Sequence, residues 1–269
     1  ACSLHRPATC NDVDLAQVEN NAAELSGGGI QNYDGGMSIQ RSVIRNNTAK
    51  QTGAGVDNLA ALDILQSSIY GNQATGITTG GVITAGDGGG RIFNGANGAL
   101  QLANTTINDN QALAGGGIYN HKDLTATNST IFDNKANNGT EVFACGSGSS
   151  ENPTSCNTGI MDASGNIIIH TNFINSIVGN STTADNCNGD PVDLIVSKGH
   201  NIETANTCHF TNGTDKTGVS SATLFGTNTF KYYGGDLAQL LSIAIPSTSP
   251  AHDAGDNINC TATDERGFI

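Results

Sequence analysis

The chain has 269 residues, of which 36% are hydrophobic, with 35 Gly, no Trp and a formal net charge of -13. This length suits one domain or one elongated repeat structure, and the high content of Gly, Asn, Thr and Ser argues against packed long helices. The 24 Asp and Glu against 11 Lys and Arg argue against binding to nucleic acid, and no apolar stretch reaches the length of a membrane span.

Two short motifs recur along the first two thirds of the chain. The first joins Gly residues to an aliphatic residue and Asn, at residues 27–32, 53–58, 89–94 and 115–120. The second has an aliphatic residue three positions before an Asn, and its Asn are Asn21, Asn47, Asn72, Asn110, Asn134 and Asn180. Most repeats follow each other after about 25 residues, and longer gaps indicate insertions near residues 73–88 and 139–166.

Segments with alternating apolar and polar residues lie between the motifs and predict short strands. They occur at residues 37–40, 62–65, 100–103 and 124–127. A repeat of about 25 residues fits a coil of three strands and three turns. The sequence therefore predicts an all-β fold, a right-handed parallel β-helix. A leucine-rich or helical repeat would need an amphipathic helical stretch in each unit.

Equivalent residues of successive coils are expected to stack. The aliphatic residues form two predicted interior columns, which are Ile30, Val56, Ile92 and Ile118, and Ile44, Ile69, Ile107, Ile131 and Ile177. Asn at a fixed corner tolerates left-handed backbone and can bond to the same amide in the next coil. We therefore interpret two sets of Asn as structural ladders and not as ligand-binding residues: Asn47, Asn72, Asn110, Asn134 and Asn180, and Asn32, Asn58, Asn94 and Asn120.

Seven cysteines indicate an oxidising, extracellular compartment. A metal site is disfavoured, because the chain has no Cys-x-x-Cys pair and its His residues are scattered. The N-terminus lacks the basic and apolar regions of a signal peptide, so we expect that such a signal has been removed. Short spacings predict three local disulfides, Cys2–Cys10, Cys145–Cys156 and Cys187–Cys208. Cys260 is left over, as a free thiol, a buried small residue or a link to another chain.

The chain is predicted to divide into an N-terminal cap at residues 1–14, β-helix repeats at 15–185, and C-terminal coils with a cap at 186–269. The disulfides would staple the ends and the larger insertion, where coil stacking is weakest. A β-helix has an open strand edge at each end. Both terminal segments are therefore either caps or joints for end-to-end assembly, and the unpaired Cys260 near one terminus favours a joint.

These motifs resemble two groups of bacterial surface proteins. The Gly-Gly-x-Ile and Ile-x-x-Asn motifs between residues 15 and 180 are similar to those of the polymorphic outer-membrane proteins, which usually have Phe where this chain has Ile. The segments at 198–203, 207–210 and 249–267 resemble the C-terminal part of surface β-helix proteins of the choice-of-anchor type. The resemblance implies a β-helix that is displayed on a bacterial surface and is often adhesive.

An enzymatic β-helix needs a cluster of carboxylates, either for Ca²⁺ and an acidic sugar or for hydrolysis of a glycosidic bond. The acidic residues of the repeats occupy different coil positions, except that Asp109 and Asp133 share one as predicted turn residues. The densest charged group contains Asp253, Asp256 and Asp264, which are candidate Ca²⁺ ligands. Alternatively, Asp264 or Asp253 pairs with Arg266 and fastens the terminal coil. No other cofactor is expected.

The expected function is that of a non-enzymatic extracellular protein at a cell surface. It would act in adhesion, or as a structural subunit of an extracellular assembly or filament. Its partners would be other copies of itself, or glycans and proteins of a host or matrix surface. The alternative is a polysaccharide lyase or a glycoside hydrolase built on the same β-helix.

Overall fold

The computed structural model describes residues 10–79, 82–84, 91–137, 139–145, 170–180, 185–190, 194–232 and 240–266. Its first two coils contain β1 (Cys10–Asp14), β2 (Gln17–Glu19), β3 (Ala22–Ala23), β4 (Ile30–Asn32), β5 (Gly36–Gln40), β6 (Val43–Arg45), β7 (Thr48–Ala49) and β8 (Val56–Asn58). The third coil contains β9 (Ala61–Leu65), β10 (Ser68–Tyr70), β11 (Gln73–Ala74), β12 (Ile77–Thr79), β13 (Val82–Thr84) and β14 (Ile92–Asn94).

The later elements continue the same order. Coils four to seven contain β15 (Ala99–Ala103), β16 (Thr106–Asn108), β17 (Ile118–Asn120), β18 (Asp123–Thr127), β19 (Thr130–Phe132), β20 (Val142–Cys145), β21 (Thr171–Ile174), β22 (Ile177–Gly179), β23 (Cys187–Asp190), β24 (Ile195–Ser197) and β25 (Ile202–Glu203). They are followed by α1 (Ser221–Phe225), β26 (Lys231–Tyr232) and β27 (Leu241–Ser242).

Three parallel sheets wrap around one core, which confirms the predicted parallel β-helix. Sheet 1 has the order β1-β5-β9-β15-β18-β21-β24, sheet 2 the order β2-β6-β10-β16-β19-β22-β25, and sheet 3 the order β4-β8-β14-β17-β20-β23. Each neighbour in a sheet comes from the next coil. A short parallel sheet, β3-β7-β11, lies between sheets 2 and 3 along the chain.

The core consists of aliphatic side chains stacked in register. Sheet 2 contributes Ile44, Ile69, Ile107 and Ile131, and sheet 3 contributes Val56, Ile92, Ile118 and Val142, all fully buried. Both predicted columns are therefore present. Sheet 1 adds two more columns, because alternate residues of its five-residue strands point inward.

The sixth coil departs from the prediction by one residue. Ile131 pairs with Val178, and Ile177 pairs with Thr130 on the outward side of sheet 2. The prediction that Ile177 lies in the interior column is therefore wrong. Ile177 and Val178 are both aliphatic, so the sequence does not fix their register. Ile177 packs instead beneath a cluster that includes Leu224 and Phe225.

A ladder of side-chain amides follows the corner after sheet 2. In each coil the backbone N–H and the Nδ2 of one Asn donate to Oδ1 of the Asn in the next coil, through Asn21, Asn47, Asn72, Asn110 and Asn134. The side-chain bonds are 2.8–3.0 Å long. Positive φ belongs to the residue that precedes each ladder Asn, as at Asn46 and Asp109. The expectation that the ladder Asn itself has left-handed backbone is therefore wrong.

Asn180 does not join this ladder, contrary to the prediction. The register shift places it beside Asp133, to whose Oδ1 its Nδ2 donates at 3.4 Å. The rung below Asn134 is filled by the fully buried Glu141, whose carboxylate accepts from the backbone N–H of Asn134 at 3.2 Å and from its Nδ2 at 2.5 Å. Burial raises the pKa of Glu141 well above its usual range.

A second amide ladder follows the corner after sheet 3. Nδ2 of each Asn donates to Oδ1 of the next through Asn32, Asn58, Asn94 and Asn120, over 2.7–2.8 Å. Asn120 donates in turn to the hydroxyl of Thr171 at 2.8 Å, which ends the ladder. A column of hydroxyls before sheet 2, including Ser67, Ser129 and Ser176, accepts backbone N–H bonds in a similar way.

The C-terminal end of the core is closed by residues that follow β25. Glu203, in the interior position next to Val178, accepts backbone N–H bonds from Thr207 and Cys208 at 2.8 and 3.1 Å. Cys208 is fully buried and forms the predicted disulfide with Cys187 of β23. Lys216 pairs with Ile202 and covers the last edge of sheet 2. Part of the predicted 186–269 region is thus a cap.

Both predicted insertions begin later than expected. Residues 73 and 74 form β11 of the short sheet, and the extra residues of coil three include the antiparallel pair β12 and β13. Residues 142–145 form β20 of sheet 3, so the second insertion follows Cys145. Cys145 is disulfide-bonded. Its predicted partner Cys156 and the N-terminal Cys2 lie outside the described residues.

Replacing Asn110 by Ala should destabilise the protein by about 3 kcal/mol, because the backbone N–H of Asn72 and the carbonyl of Ile69 would each lose a buried partner. Urea denaturation of N110A measures the loss. N137A is the matched control, because Asn137 is exposed in the neighbouring coil. Equal stability of the two variants would contradict a structural role for the ladder.

Removing the Cys187–Cys208 disulfide by a double change to Ser should also cost about 3 kcal/mol, because the bond closes a loop of 21 residues at the end of the core. The C260S variant serves as control, since Cys260 is a free and exposed thiol. Thermal or urea denaturation should separate the two variants. A double variant as stable as C260S would show that the bond does not hold the cap.

Candidate binding surface and cleft

The corner between sheets 1 and 2 holds the end of the chain. In coils three to seven, its left-handed positions are occupied by Gln66, Asn104, Asn128, Asn175 and His200, with φ between 47° and 59°. The side chains of these five residues bond to backbone carbonyls of Asp264, Thr263, Asn259, Asp256 and Ala254, in that order, over 2.8–3.0 Å. Residues 254–266, here called the C-terminal strap, therefore run back along the side of the solenoid from coil seven to coil three, whereas Leu241 of β27 already bonds to Ser68 of coil three.

The sequence left a cap and a joint for assembly open for the C-terminal segment, and residues 254–266 lie instead along the side of the solenoid. This arrangement also identifies residues that fasten the strap to the solenoid and that the repeat motifs did not reveal. A signal was present in the sequence, because Gln66, Asn104 and Asn128 each stand three residues before an interior Ile and are followed by Ser or Thr. The Ser or Thr that follows belongs to the column of hydroxyls before sheet 2, and the side-chain amide of Gln66, Asn104 or Asn128 faces the strap.

Glu265 anchors the far end of the strap on the outer face of sheet 2. Its two carboxyl oxygens accept hydrogen bonds from the hydroxyls of Ser68 at 2.7 Å and Thr106 at 2.6 Å. Burial raises the pKa of this carboxyl to about 8, and the neighbouring Asp264 adds to the rise, while the two hydroxyls partly oppose it. The docked carboxyl is therefore protonated at neutral pH.

Apolar contacts fix the segment that precedes the strap. Phe132, Ile177 and Ile202 point outward from sheet 2 and pack against Leu224 and Phe225 of α1. The ring centroids of Phe132 and Phe225 are 5.0 Å apart, in an edge-to-face arrangement. Ser220 caps α1, since its side chain accepts from the N–H of Thr223. This packing explains why sheet 2 carries apolar residues on both faces.

A cleft of about 540 Å³ lies between sheet 2 and this covering segment. Its buried lining includes Asn108, Phe132 and Phe225. Asp109 and Asp133, which share a coil position, also line it. Lys135 forms an ion pair of 3.0 Å with Asp109, and burial raises the pKa of Asp133. Both aspartates have positive φ, so they are turn residues as predicted.

Sheet 1 presents an almost uncharged face over its last four strands. The residues that point outward, alternating with the core residues, are Ala99, Gln101, Ala103, Asp123, Thr125, Thr127, Asn172, Ile174 and Val196. All of them are exposed or half-buried, and Asp123 at the start of β18 carries the one charge of this set. This face contrasts with the net charge of -13.

The candidate Ca²⁺ ligands do not form a cluster. Asp253 is exposed beside His252, and Asp256 accepts bonds from the N–H of Ile258 and Nδ2 of Asn259. Asp264 pairs with Arg266, whose N–H and Nε donate to it at 2.8 and 2.7 Å, which is the alternative arrangement. In the part of the chain that the structure describes, no three His, Cys, Asp or Glu residues could hold a metal ion together.

Cys260 lies on the side of the solenoid and not at either end. Its neighbours Asn259 and Thr261 accept hydrogen bonds from Asn128 of coil five and Asn104 of coil four. The thiol is free and exposed. The position of Cys260 therefore does not favour an end-to-end joint.

Among the described residues, no helix has the length and hydrophobicity needed to cross a membrane.

Comparisons with protein-family models, with curated proteins and with solved structures found no match to this chain. The β-helix fold is therefore established by the strand pairing alone.

The Glu265 carboxyl should make docking of the strap depend on pH. A released strap loses this proton near pH 4.5, whereas the docked carboxyl keeps it up to about pH 8, so docking weakens as the pH rises between these values. Hydrogen exchange of residues 259–266, corrected for intrinsic rates, should show less protection at pH 8.5 than at pH 5.5. The E265Q variant should lose this dependence.

The control for this measurement is E24Q, because the Glu24 side chain is 84% exposed. It should keep the pH dependence of the unmodified chain. Equal protection of the strap at both pH values in the unmodified chain would contradict the burial of the Glu265 carboxyl.

Proposed function

We propose that this chain is a non-enzymatic extracellular adhesive protein, whose rigid β-helix presents the outer face of sheet 1 to a partner surface. The single observation that carries this proposal is the uncharged face formed by β15, β18, β21 and β24. Its outward residues are small, polar or aliphatic, and eight of the nine carry no charge. The centres of protein interfaces are depleted of charged residues in the same way.

The geometry suits adhesion for a second reason. Parallel strands about 4.8 Å apart give the face a fixed spacing, and the two amide ladders hold the strands in register. A rigid surface loses little conformational entropy when it binds. The extracellular location belongs to the same proposal, and the disulfide between Cys187 and Cys208 supports it, because such bonds persist in oxidising compartments.

Display at a bacterial surface, as in the polymorphic outer-membrane and choice-of-anchor proteins, is part of this proposal and rests on the motifs alone. Adhesion is preferred to end-to-end assembly because Cys260 lies beside coils four and five. It is preferred to catalysis because the described acidic residues of the sheets are dispersed. The partner would be a glycan or protein surface of a host or matrix.

Charges introduced on the sheet 1 face should abolish adhesion. Beads coated with the purified chain are tested for attachment to surfaces coated with extracellular-matrix extract. The double change Gln101→Glu with Thr125→Glu should lower attachment at least tenfold, because it places two desolvated charges at the centre of the contact. Circular dichroism and thermal denaturation check that the variant is folded.

The matched control adds the same charge elsewhere. Thr217 and Thr227 are exposed on the C-terminal segment, away from sheet 1, and changing both to Glu should leave attachment unaltered. Equal attachment of the Gln101 and Thr125 double variant would overturn the role of this face. A chain that attaches to none of the coated surfaces would overturn adhesion itself.

A further inference from the structure

A groove crosses the corner between sheets 3 and 1 in the first three coils, and the unequal lengths of the turns create it. In coil two, only Leu59 and Ala60 join β8 to β9, whereas residues 33–35 make the same connection in coil one and residues 95–98 make it in coil three. The short turn therefore forms a floor between two longer turns. The space above this floor measures about 640 Å³, and residues of all three turns line it.

Backbone hydrogen bonds and the second amide ladder hold the groove in shape. The N–H of Leu59 donates to the carbonyl of Asn32 at 2.8 Å, and the N–H of Gly95 donates to the carbonyl of Asn58 at 2.8 Å. Nδ2 of Asn58 also donates to the carbonyl of Ala60 at 2.8 Å. Each turn is thus tied to the next coil, and a ligand would bind without having to order the turns.

Three exposed polar side chains surround the floor. Tyr33 is 76% exposed, and its neighbour Asp34 and the facing Asn97 of coil three are exposed as well. Oδ1 of Asp34 accepts from the N–H of Gly35 at 2.7 Å. In the part of the chain that the structure describes, Oδ2 of Asp34, the hydroxyl of Tyr33 and the amide of Asn97 have no hydrogen-bond partner. The fold does not use these groups, and a ligand in the groove can reach them.

The lining defines the chemistry of that ligand. Tyr33 supplies an aromatic ring, and the small residues Gly36, Ala60 and Ala61 leave room above the floor. Asp34 carries the one charge of this lining, so an anion would be repelled. The walls belong to coils one and three and therefore lie about 9–10 Å apart, which admits a single ring. A neutral sugar ring fits, because it combines an apolar face with several hydroxyls.

The groove is continuous with the face of sheet 1 to which we assign adhesion. Ala61, at the start of β9, lines the groove and pairs in register with Ala99, the first outward residue of that face on β15. A glycan that lies along sheet 1 can therefore place one of its rings in the groove.

We propose that this groove binds one neutral sugar ring of a surface glycan, with Tyr33 stacking against the apolar face of the ring and with Asp34 and Asn97 bonding to its hydroxyls. The inference rests on the proposed adhesive function and deepens it by naming a glycan as the partner. The groove selects the sugar, and the face of sheet 1 supplies the broad contact.

The test is saturation-transfer NMR with the full chain and methyl glycosides of glucose, galactose, mannose and N-acetylglucosamine, with methyl glucuronide for comparison. At least one neutral glycoside should bind, and the glucuronide should bind at least tenfold more weakly because of charge repulsion. Y33A should lose at least tenfold in affinity, whereas Y33F keeps the ring and should stay within about threefold of the unmodified chain. N97A removes a hydrogen bond from the opposite wall and should weaken binding at least threefold.

The matched control is Y232A, which removes the same side chain from the segment that covers sheet 2 and should bind like the unmodified chain. Y33A should keep its melting temperature, because Tyr33 is exposed. The proposal is overturned if no neutral glycoside binds, if the glucuronide binds equally well, or if Y33A or N97A keeps its affinity. Equal losses in Y33A and Y232A, or weaker binding of Y33A together with a lower melting temperature, would also overturn it.

The two proposals fail in different ways. If the coated beads attach but no neutral glycoside binds, the groove is not a sugar site and adhesion through sheet 1 stands. If a glycoside binds through Tyr33 but the beads attach to no coated surface, adhesion is overturned and the groove remains a sugar site. Beads coated with Y33A that attach like the unmodified chain would overturn the glycan as the partner in adhesion.

Discussion

The hydrogen bond between side-chain amides of successive coils is the interaction on which the rest of the structure depends. In coils one to four, the corner after sheet 2 turns the chain away from its neighbours and leaves a backbone N–H without a strand partner, and Oδ1 of the next Asn accepts it. Asn suits this place because one side chain both donates and accepts. The ladder thereby sets the stacking distance and aligns the aliphatic columns, so the core and the outer faces inherit its register.

The ends of the ladders show what this dependence requires. Where coil six lacks an Asn in register, Glu141 enters the rung from the adjacent position before sheet 3, which Gly117 occupies one coil earlier. A Cβ at Gly117 would lie 2.6 Å from the backbone carbonyl oxygen of Glu141 and 3.1 Å from Nδ2 of Asn134, so Gly is required there mainly by the close approach of the next coil and also keeps the ladder clear. The buried carboxyl of Glu141 therefore supplies acceptors for the backbone N–H and the Nδ2 of Asn134, which would otherwise be unpaired.

Most of the β-helix could be predicted because its determinants repeat. The spacing of Asn47, Asn72, Asn110 and Asn134 indicated coils of about 25 residues, and alternation indicated the inward faces. Coil six could not be placed from the sequence, because Ile177 and Val178 are both aliphatic and the outward residue, Ile177, is partly covered by a distant segment. The strap and the cleft could not be predicted at all. They depend on single contacts, such as Gln66 with Asp264, 198 residues apart and without periodicity.

The strap changes how the solenoid holds together as a mechanical object. A simple solenoid has only nearest-neighbour contacts, so its coils can fray from the ends one at a time. Here one extended segment is fastened to coils three, four, five, six and seven through Gln66, Asn104, Asn128, Asn175 and His200. Loss of any one of these coils therefore loosens an attachment shared by the others. The strap converts a one-dimensional stack into a cooperative unit, at the cost of closing a very long loop during folding.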